Sequence, residues 1–132
     1  MLKLLVVDDE IDVCDFVKSF FKERNFEVFA AHNGQEALYV VEHKRPQIVI
    51  LDMRMPVMDG MTVLKELRRA NSDCKVIMVT AVEDFTKAEE AKKQGAVEYI
   101  TKPLLLEQLE RTVFTIAEQI RLETCAAQSG QQ

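Results

Sequence analysis

The chain has 132 residues, of which 48% are hydrophobic and 30% are charged, with only 4 glycines and 3 prolines. This length suits a single domain, and the composition excludes a disordered or collagen-like chain. The 17 lysines and arginines stand against 22 aspartates and glutamates, which gives a net charge of −5. Because proteins that bind nucleic acid usually carry a basic stripe, this balance argues against direct nucleic-acid binding.

Cysteine spacing and the apolar runs favour a cytoplasmic protein with no membrane segment. Cys14, Cys74 and Cys125 lie far apart and form no C-x-x-C motif, so we expect reduced thiols. The apolar run of residues 76–82 is interrupted by Thr80 and is far shorter than the ~20 residues of a membrane span. The N-terminal apolar run meets acidic residues too early for a signal peptide.

Short apolar segments predict β-strands, since such runs are typical of strands that are buried on both faces. The predicted strands are residues 4–7, 26–31, 47–51, 75–80 and 96–101. Between them, apolar residues recur at spacings of three and four, which predicts helices. The first predicted helix begins at Ile11 and ends within residues 22–25. The next three are residues 35–44, 61–70 and 84–94, and the last begins after Pro103 and ends at about Leu122.

Strands that alternate with helices form a parallel sheet with helices on both faces, joined by right-handed crossovers. We therefore predict one α/β domain of the doubly wound class, with five strands and five helices, over residues 2–122. Residues 123–132 are mostly small and polar, so we expect a flexible C-terminal tail or linker there.

Polar residues follow or end four of the predicted strands, at the edge where open parallel sheets bind ligands. Asp8 and Asp9 follow the first strand, and Asp52 ends the third. Thr80 ends the fourth strand and Lys102 follows the fifth. If the first and third strands are neighbours, three carboxylates converge, and at least one would take up a proton unless a cation neutralised them. Oxygen ligands of this kind suit Mg²⁺, so the sequence predicts a magnesium site.

Motifs at these strand ends give the chain a resemblance to response-regulator receiver domains, the phosphoacceptor modules of two-component signalling. They are VVDDE at residues 6–10, LDMRMPVMDG at 51–60, VTA at 79–81 and YITKP at 99–103, and they occur in the family's order. The resemblance covers roughly residues 2–122. It implies a flavodoxin-like fold with the strand order 2-1-3-4-5.

The resemblance implies a phosphorylation site and its metal ligands. Asp52 would accept a phosphoryl group from the phosphohistidine of a partner histidine kinase or a histidine phosphotransfer protein. Asp9 and Asp52 would bind Mg²⁺ directly, and Asp8 would act mostly through water. The backbone carbonyl of Arg54 would supply a further metal ligand.

The resemblance also implies a switch. Thr80 and Lys102 would contact the phosphoryl oxygens, and the bond between Lys102 and Pro103 would be cis, as X-Pro bonds permit at a cost of only ~0.5–1 kcal/mol. Thr80 would reorient toward the phosphoryl group, and Tyr99 would then turn inward. This movement would remodel the face formed by the fourth helix, fifth strand and fifth helix, which could also serve as the surface of a homodimer.

Two residues near the predicted site bear on the rate at which the phosphoryl group is lost. Arg54 and Val82 occupy positions at which family members vary and which influence dephosphorylation. A bulky cation and a branched apolar side chain beside the site should affect water access. We therefore expect a phosphoryl lifetime different from that of chemotaxis receivers.

Two rival functions use related chemistry or the same topology. Mg²⁺-dependent phosphohydrolases with an aspartate nucleophile carry an Asp-x-Asp motif after the first strand. In this sequence Asp8 and Asp9 are adjacent instead. A flavin-binding module needs a phosphate loop rich in Ser, Thr or Gly at that point, and acids would repel the flavin phosphate. We therefore expect a phosphoacceptor signalling domain rather than an enzyme, with no activity beyond its own phosphorylation and autodephosphorylation. A stand-alone receiver and the isolated N-terminal receiver of a longer regulator remain alternatives.

Overall fold

One parallel sheet forms the centre of the computed structural model, which describes residues 1–81 and 84–130, with side chains described up to residue 125. Its strands are β1 (Lys3–Val7), β2 (Glu27–Ala31), β3 (Ile48–Asp52), β4 (Lys75–Thr80) and β5 (Glu98–Thr101). They pair in the order β2-β1-β3-β4-β5, which confirms the order that the resemblance implied. β1 and β3 are therefore neighbours, with Val7 aligned with Leu51, and this pairing brings their carboxyl ends together.

Helices cover both faces of this sheet. They are α1 (Ile11–Lys22), α2 (Gly34–Lys44), α3 (Gly60–Arg69), α4 (Phe85–Lys93) and α5 (Leu106–Gly130). Successive strand side chains point to opposite faces. Leu4 and Val6 accordingly pack in a cluster with residues of α1 and α5. Leu5 and Val7 pack in a second cluster with residues of α2, α3 and α4. The predicted doubly wound α/β fold is confirmed.

The end of α5 differs from the sequence prediction. We predicted a helix to about Leu122 and a flexible tail after it, but α5 continues to Gly130. The residues after Leu122 include Glu, Ala and Gln, which are good helix formers, and residues 123–129 contain no glycine or proline. Whether residues 123–132 function as a linker outside the receiver domain stays a prediction.

Two further sequence predictions concern Val82 and membrane segments. Val82, which we expect to influence the phosphoryl lifetime, lies outside the described residues. In the part of the chain that the structure describes, no helix is both long enough and apolar enough to span a bilayer.

Candidate functional site

Three carboxylates converge at the carboxyl edge of the sheet. Asp8 and Asp9 follow β1, and Asp52 is the last residue of the neighbouring β3. Each offers one oxygen atom, and these atoms all lie within 4.8 Å of one another. Asp8 is 6% exposed and Asp52 is 3% exposed, whereas Asp9 faces solvent. The cluster therefore has two buried acids and one that is open to an incoming ion.

Burial disfavours charge on both inner acids. It raises the pKa of Asp8 from its usual 3.8 to about 6, although the backbone N–H of Glu10 donates to Asp8 and opposes the shift. Burial also raises the pKa of Asp52, and the positive charge of Lys102 opposes that shift. A hard divalent cation bound to these oxygens would stabilise the ionised forms. The donor set thus fits a metal such as Mg²⁺.

A small cavity borders the two buried acids. It has a volume of about 180 Å³ and lies between α1 and the loop after β5, with Asp8, Asp52 and Lys102 in its wall. Apart from Glu10, the remaining lining is apolar, from Val6, Val7, Val13, Val17, Ile50, Val79, Pro103 and Leu104. An apolar wall beside the carboxylates lowers the local dielectric constant and strengthens every charge interaction in the site.

Lys102 places a positive charge against the carboxylate of Asp52. Its Nζ donates to Asp52 Oδ2 at 3.4 Å. Its backbone N–H donates to the carbonyl of Thr80 at 2.7 Å, which holds the end of β5 against the end of β4. The following bond to Pro103 is cis. Thr80 is 2% exposed and ends β4, the other neighbour of β3, so the structure brings Thr80 to the same edge as the acids.

The loop after β3 is packed tightly around Asp52. The backbone N–H of Arg54 donates to Asp52 Oδ1 at 3.3 Å. A Cβ on Gly60 would lie 2.3 Å from the backbone oxygen of Asp52, so only glycine permits α3 to begin this close. Asp59 caps α3 by accepting the backbone N–H of Thr62 at 2.9 Å. These contacts fix the backbone around the candidate phosphoacceptor.

Sequence reasoning missed one charged contact near the site. The guanidinium of Arg54 binds Asp84 through two hydrogen bonds, of 2.7 Å from Nε and 2.9 Å from Nη2. The bonds to Arg54 hold the pKa of Asp84 below its usual value. An aspartate directly before a helix normally indicates an N-cap, so the sequence carried no signal of this pairing.

Tyr99 lies on β5 rather than at the carboxylate cluster. It is half-buried, and its hydroxyl donates to Glu89 Oε1 of α4 at 3.5 Å. The ammonium of Lys92, also on α4, lies 5.5 Å from the centre of the tyrosine ring. The predicted switch residue is therefore in contact with α4, on the face where we expected remodelling.

Known proteins resemble the chain over most of its length. The family model of the response regulator receiver domain matches residues 4–114. The chain is 40% identical over 116 residues to the chemotaxis protein CheY of Listeria monocytogenes, a match that covers 84% of this chain and 98% of that protein. It is 38% identical over 111 residues to the regulatory protein AtoC of Escherichia coli, with 84% of this chain covered. The chain spans only 24% of the length of AtoC.

A solved structure agrees with these matches. The receiver domain of the Francisella response regulator 1452 has a TM-score of 0.85 and 30% sequence identity, and the superposition covers 91% of this chain and 99% of that chain. The family model, the relatives and the shared flavodoxin-like fold all indicate the same family. The chain therefore belongs to the response regulator receiver domain family.

Proposed function

We propose that Asp52 accepts a phosphoryl group from the phosphohistidine of a histidine kinase or histidine phosphotransfer protein. The observation that supports this most is the position of its buried carboxylate, which lies 3.4 Å from the ammonium of Lys102 and within 4.8 Å of carboxylate oxygens of Asp8 and Asp9. Phosphoryl transfer needs positioning and charge neutralisation more than covalent assistance. An ionised carboxylate is already an anionic nucleophile, so no general base is required.

The transfer is a simple displacement at phosphorus. A carboxylate oxygen of Asp52 forms a bond to phosphorus while the bond from phosphorus to the imidazole nitrogen breaks. The electron pair of that bond remains on the imidazole, which leaves as the neutral ring because its other nitrogen carries a proton. The product is a mixed anhydride that carries close to two negative charges beside Lys102.

Asp9 and Asp52 would hold Mg²⁺ directly, with Asp8 acting mostly through water and the carbonyl of Arg54 as a further ligand. When bound, the ion supplies neutralisation of the phosphoryl oxygens. The support is the fit of the donor set, since the carboxylate oxygens of Asp8, Asp9 and Asp52 converge within 4.8 Å of one another. Lys102 would neutralise part of the remaining charge.

Thr80 and Tyr99 would form the switch. Thr80 would turn its hydroxyl toward the phosphoryl oxygens, and Tyr99 would turn inward and change the α4–β5–α5 face. Tyr99 has an apolar ring and a polar tip, so it tolerates both burial and exposure. The contacts of Tyr99 with Glu89 and Lys92 connect this change to α4.

The output of the domain depends on the protein to which it belongs. A stand-alone receiver of the CheY type would use the α4–β5–α5 face to bind another protein. The N-terminal receiver of a longer regulator would use the same face to pair with a second copy. Sedimentation velocity with and without beryllofluoride, a phosphoryl mimic, separates the two, because only the second predicts a phosphorylation-dependent dimer.

Intact-mass spectrometry tests the phosphoacceptor proposal. The protein is incubated with acetyl phosphate and Mg²⁺, and we expect the mass of one added phosphoryl group. Asp52→Asn and a chelator should each abolish the adduct, whereas Asp12→Asn, on the exposed part of α1, should leave it unchanged. If the wild type gained no phosphoryl group and bound no beryllofluoride, the proposal would be wrong.

A further inference from the structure

The thiol of Cys14 lies where the end of β1, the end of β2 and the first turns of α1 meet. Cys14 is on α1 and is fully buried. Its Sγ donates to the backbone carbonyl of Asp8 at 3.3 Å and lies 3.7 Å from the carbonyl of Ala31, the last residue of β2. The backbone N–H of Asp8 donates to the same Ala31 carbonyl at 3.1 Å. One buried thiol thus connects the three elements that meet at Asp8.

The acceptor of the thiol belongs to the peptide that joins two acids of the site. The carbonyl of Asp8 and the N–H of Asp9 form one planar group, so the direction of this carbonyl sets the direction of the backbone that carries Asp9. β1 ends at Val7 and α1 begins at Ile11. Residues 8–10 therefore lie between the two elements, where individual contacts rather than a repeating bond pattern determine the backbone.

The carboxylate of Asp9 depends on its backbone for its position, because its side chain faces solvent. One of its oxygens nevertheless lies within 4.8 Å of oxygens of Asp8 and Asp52, which are both buried. An exposed side chain on a freely rotating peptide would sample many positions relative to those two acids. Metal sites bind tightly when their ligands are held near the binding geometry before the ion arrives, and groups that orient the ligands therefore affect metal affinity.

We propose that Cys14 is a positioning residue for the metal site, and that its thiol holds the peptide between Asp8 and Asp9 so that their carboxylates converge with that of Asp52. This inference rests on the proposed function and deepens it. A carbonyl oxygen only accepts hydrogen bonds, so the thiol is the donor. A thiol is a weak donor, but a hydrogen bond in buried surroundings is stronger than the same bond in water. The role needs no contact between the thiol and the ion, since Cys14 acts through the backbone.

The magnesium affinity of two Cys14 variants tests the role of the donor. Serine and alanine have nearly the same volume, but only serine keeps a donor. Cys14→Ala should bind Mg²⁺ about tenfold more weakly than the wild type, the lower end of the range typical for groups that orient metal ligands. Cys14→Ser should recover most of this loss. Calorimetric titration with Mg²⁺ measures the affinities, and equal values for Cys14→Ser and Cys14→Ala would overturn the proposal.

Cys74→Ala is the matched control, because it also removes a buried cysteine. Cys74 lies directly before β4, at the opposite edge of the sheet from the acids. Both alanine changes remove buried atoms and should lower the free energy of unfolding. Only Cys14→Ala should weaken Mg²⁺ binding. If Cys74→Ala weakened it as much, a general loosening of the fold would explain the effect and the positioning role would be wrong.

Infrared spectroscopy observes the hydrogen bond itself. The difference spectrum between the wild type and Cys14→Ser isolates the S–H stretching band of Cys14, because Cys74 and Cys125 contribute equally to both proteins. We expect this band at a lower frequency than that of a free thiol in an apolar solvent, since donating a hydrogen bond weakens the S–H bond. A band at the free-thiol frequency would overturn the proposal, even where Cys14→Ala does not fold.

Failure of the positioning role differs from failure of the proposed function. If the wild type gains a phosphoryl group from acetyl phosphate with Mg²⁺, but Cys14→Ser binds Mg²⁺ no more tightly than Cys14→Ala, the positioning role alone is wrong. If the wild type binds neither Mg²⁺ nor beryllofluoride and gains no phosphoryl group, the phosphoacceptor proposal is wrong and the positioning role falls with it.

Discussion

Gly60 begins α3 directly against the backbone of Asp52. A Cβ at position 60 would lie 2.3 Å from the carbonyl oxygen of Asp52 and 2.9 Å from the Cα of Met53. Both are backbone atoms, which cannot move aside as the end of a flexible side chain can. The glycine therefore holds the loop of the candidate phosphoacceptor in its tight arrangement.

Gly60→Ala should lower the free energy of unfolding by about 3 kcal/mol, because the added methyl group displaces backbone in a packed region. Gly34→Ala is the matched control. Its Cβ would lie 2.6 Å from the sulfur and 2.9 Å from the Cβ of Met58, which are side-chain rather than backbone atoms, so the loss should be smaller. Urea unfolding of both variants measures the difference. Equal losses of unfolding free energy in the two variants would mean that the close approach of Gly60 to the backbone of Asp52 does not require a glycine.

Val57→Gly should stabilise the protein. Val57 has φ of 70° and lies in a tight turn in which the N–H of Met58 donates to the carbonyl of Pro56 at 2.8 Å. A branched residue in this region carries about 1–3 kcal/mol of strain, and glycine carries none. Glycine also makes the unfolded chain more flexible, so we expect a net gain of about 1 kcal/mol. Val57 is fully exposed, so its removal forfeits no packing.

The control for this change is Val57→Ala, which shortens the side chain but keeps its Cβ. Its free energy of unfolding should stay close to that of the wild type. If the alanine variant gained as much stability as the glycine variant, backbone strain at position 57 would not be the cause.

The stability of the metal-free protein should fall as the pH rises through about 6. The pKa of Asp8 is 3.8 in its ordinary state and about 6 in the folded protein, so the folded state favours the protonated acid. This contribution is fully present below pH 4 and is lost as Asp8 ionises in the fold. Asp8→Asn should therefore raise the free energy of unfolding at pH 8 by up to about 3 kcal/mol and change it little at pH 4.

Thermal unfolding of metal-free protein across this pH range checks the prediction. Asp15→Asn, on the exposed side of α1, serves as the charge-matched control and should not show the same pH dependence. Added Mg²⁺ should stabilise the wild type more than Asp8→Asn at pH 8. A wild type whose stability rose steadily from pH 4 to pH 8 without metal would contradict the raised pKa.

Arg68 stabilises the edge of the sheet opposite the site. Its guanidinium donates to the carbonyls of Ser72, Cys74 and Gly95 at 2.8, 3.1 and 2.8 Å. Arg68→Ala leaves these acceptors without that donor and should cost about 2 kcal/mol. Arg69 is the control, because its ion pair lies on the surface and Arg69→Ala should cost less than about 0.5 kcal/mol. Denaturant midpoints that did not separate the two variants would refute this role.

Much of the site could be predicted from the sequence because strand ends share an edge. Asp8, Asp52 and Lys102 each adjoin a strand that apolar patterning reveals. Their convergence required the neighbour relation of β1 and β3, which came from the resemblance rather than from periodicity. The pairing of Arg54 with Asp84 could not be predicted, since it joins loops distant in the sequence and depends on how α4 sits on the sheet.

Two local backbone features could also not be predicted from the sequence. Nothing in the pattern around Val57 indicates a positive φ, because branched residues normally avoid that region. The extent of α5 was underestimated, because a mostly polar tail suggested an end that intrinsic helix propensity overrides. Both misses arise where one residue's preference competes with that of its neighbours.

Borohydride trapping tests the central claim most directly, since it locates the phosphorylated residue. Sodium borohydride reduces an aspartyl phosphate to homoserine, and peptide mass spectrometry then identifies the reduced position. After incubation with acetyl phosphate and Mg²⁺, we predict homoserine at position 52 and unmodified aspartate at Asp8 and Asp9. Homoserine at position 8 or 9, or no homoserine in protein that had gained a phosphoryl group, would contradict the account.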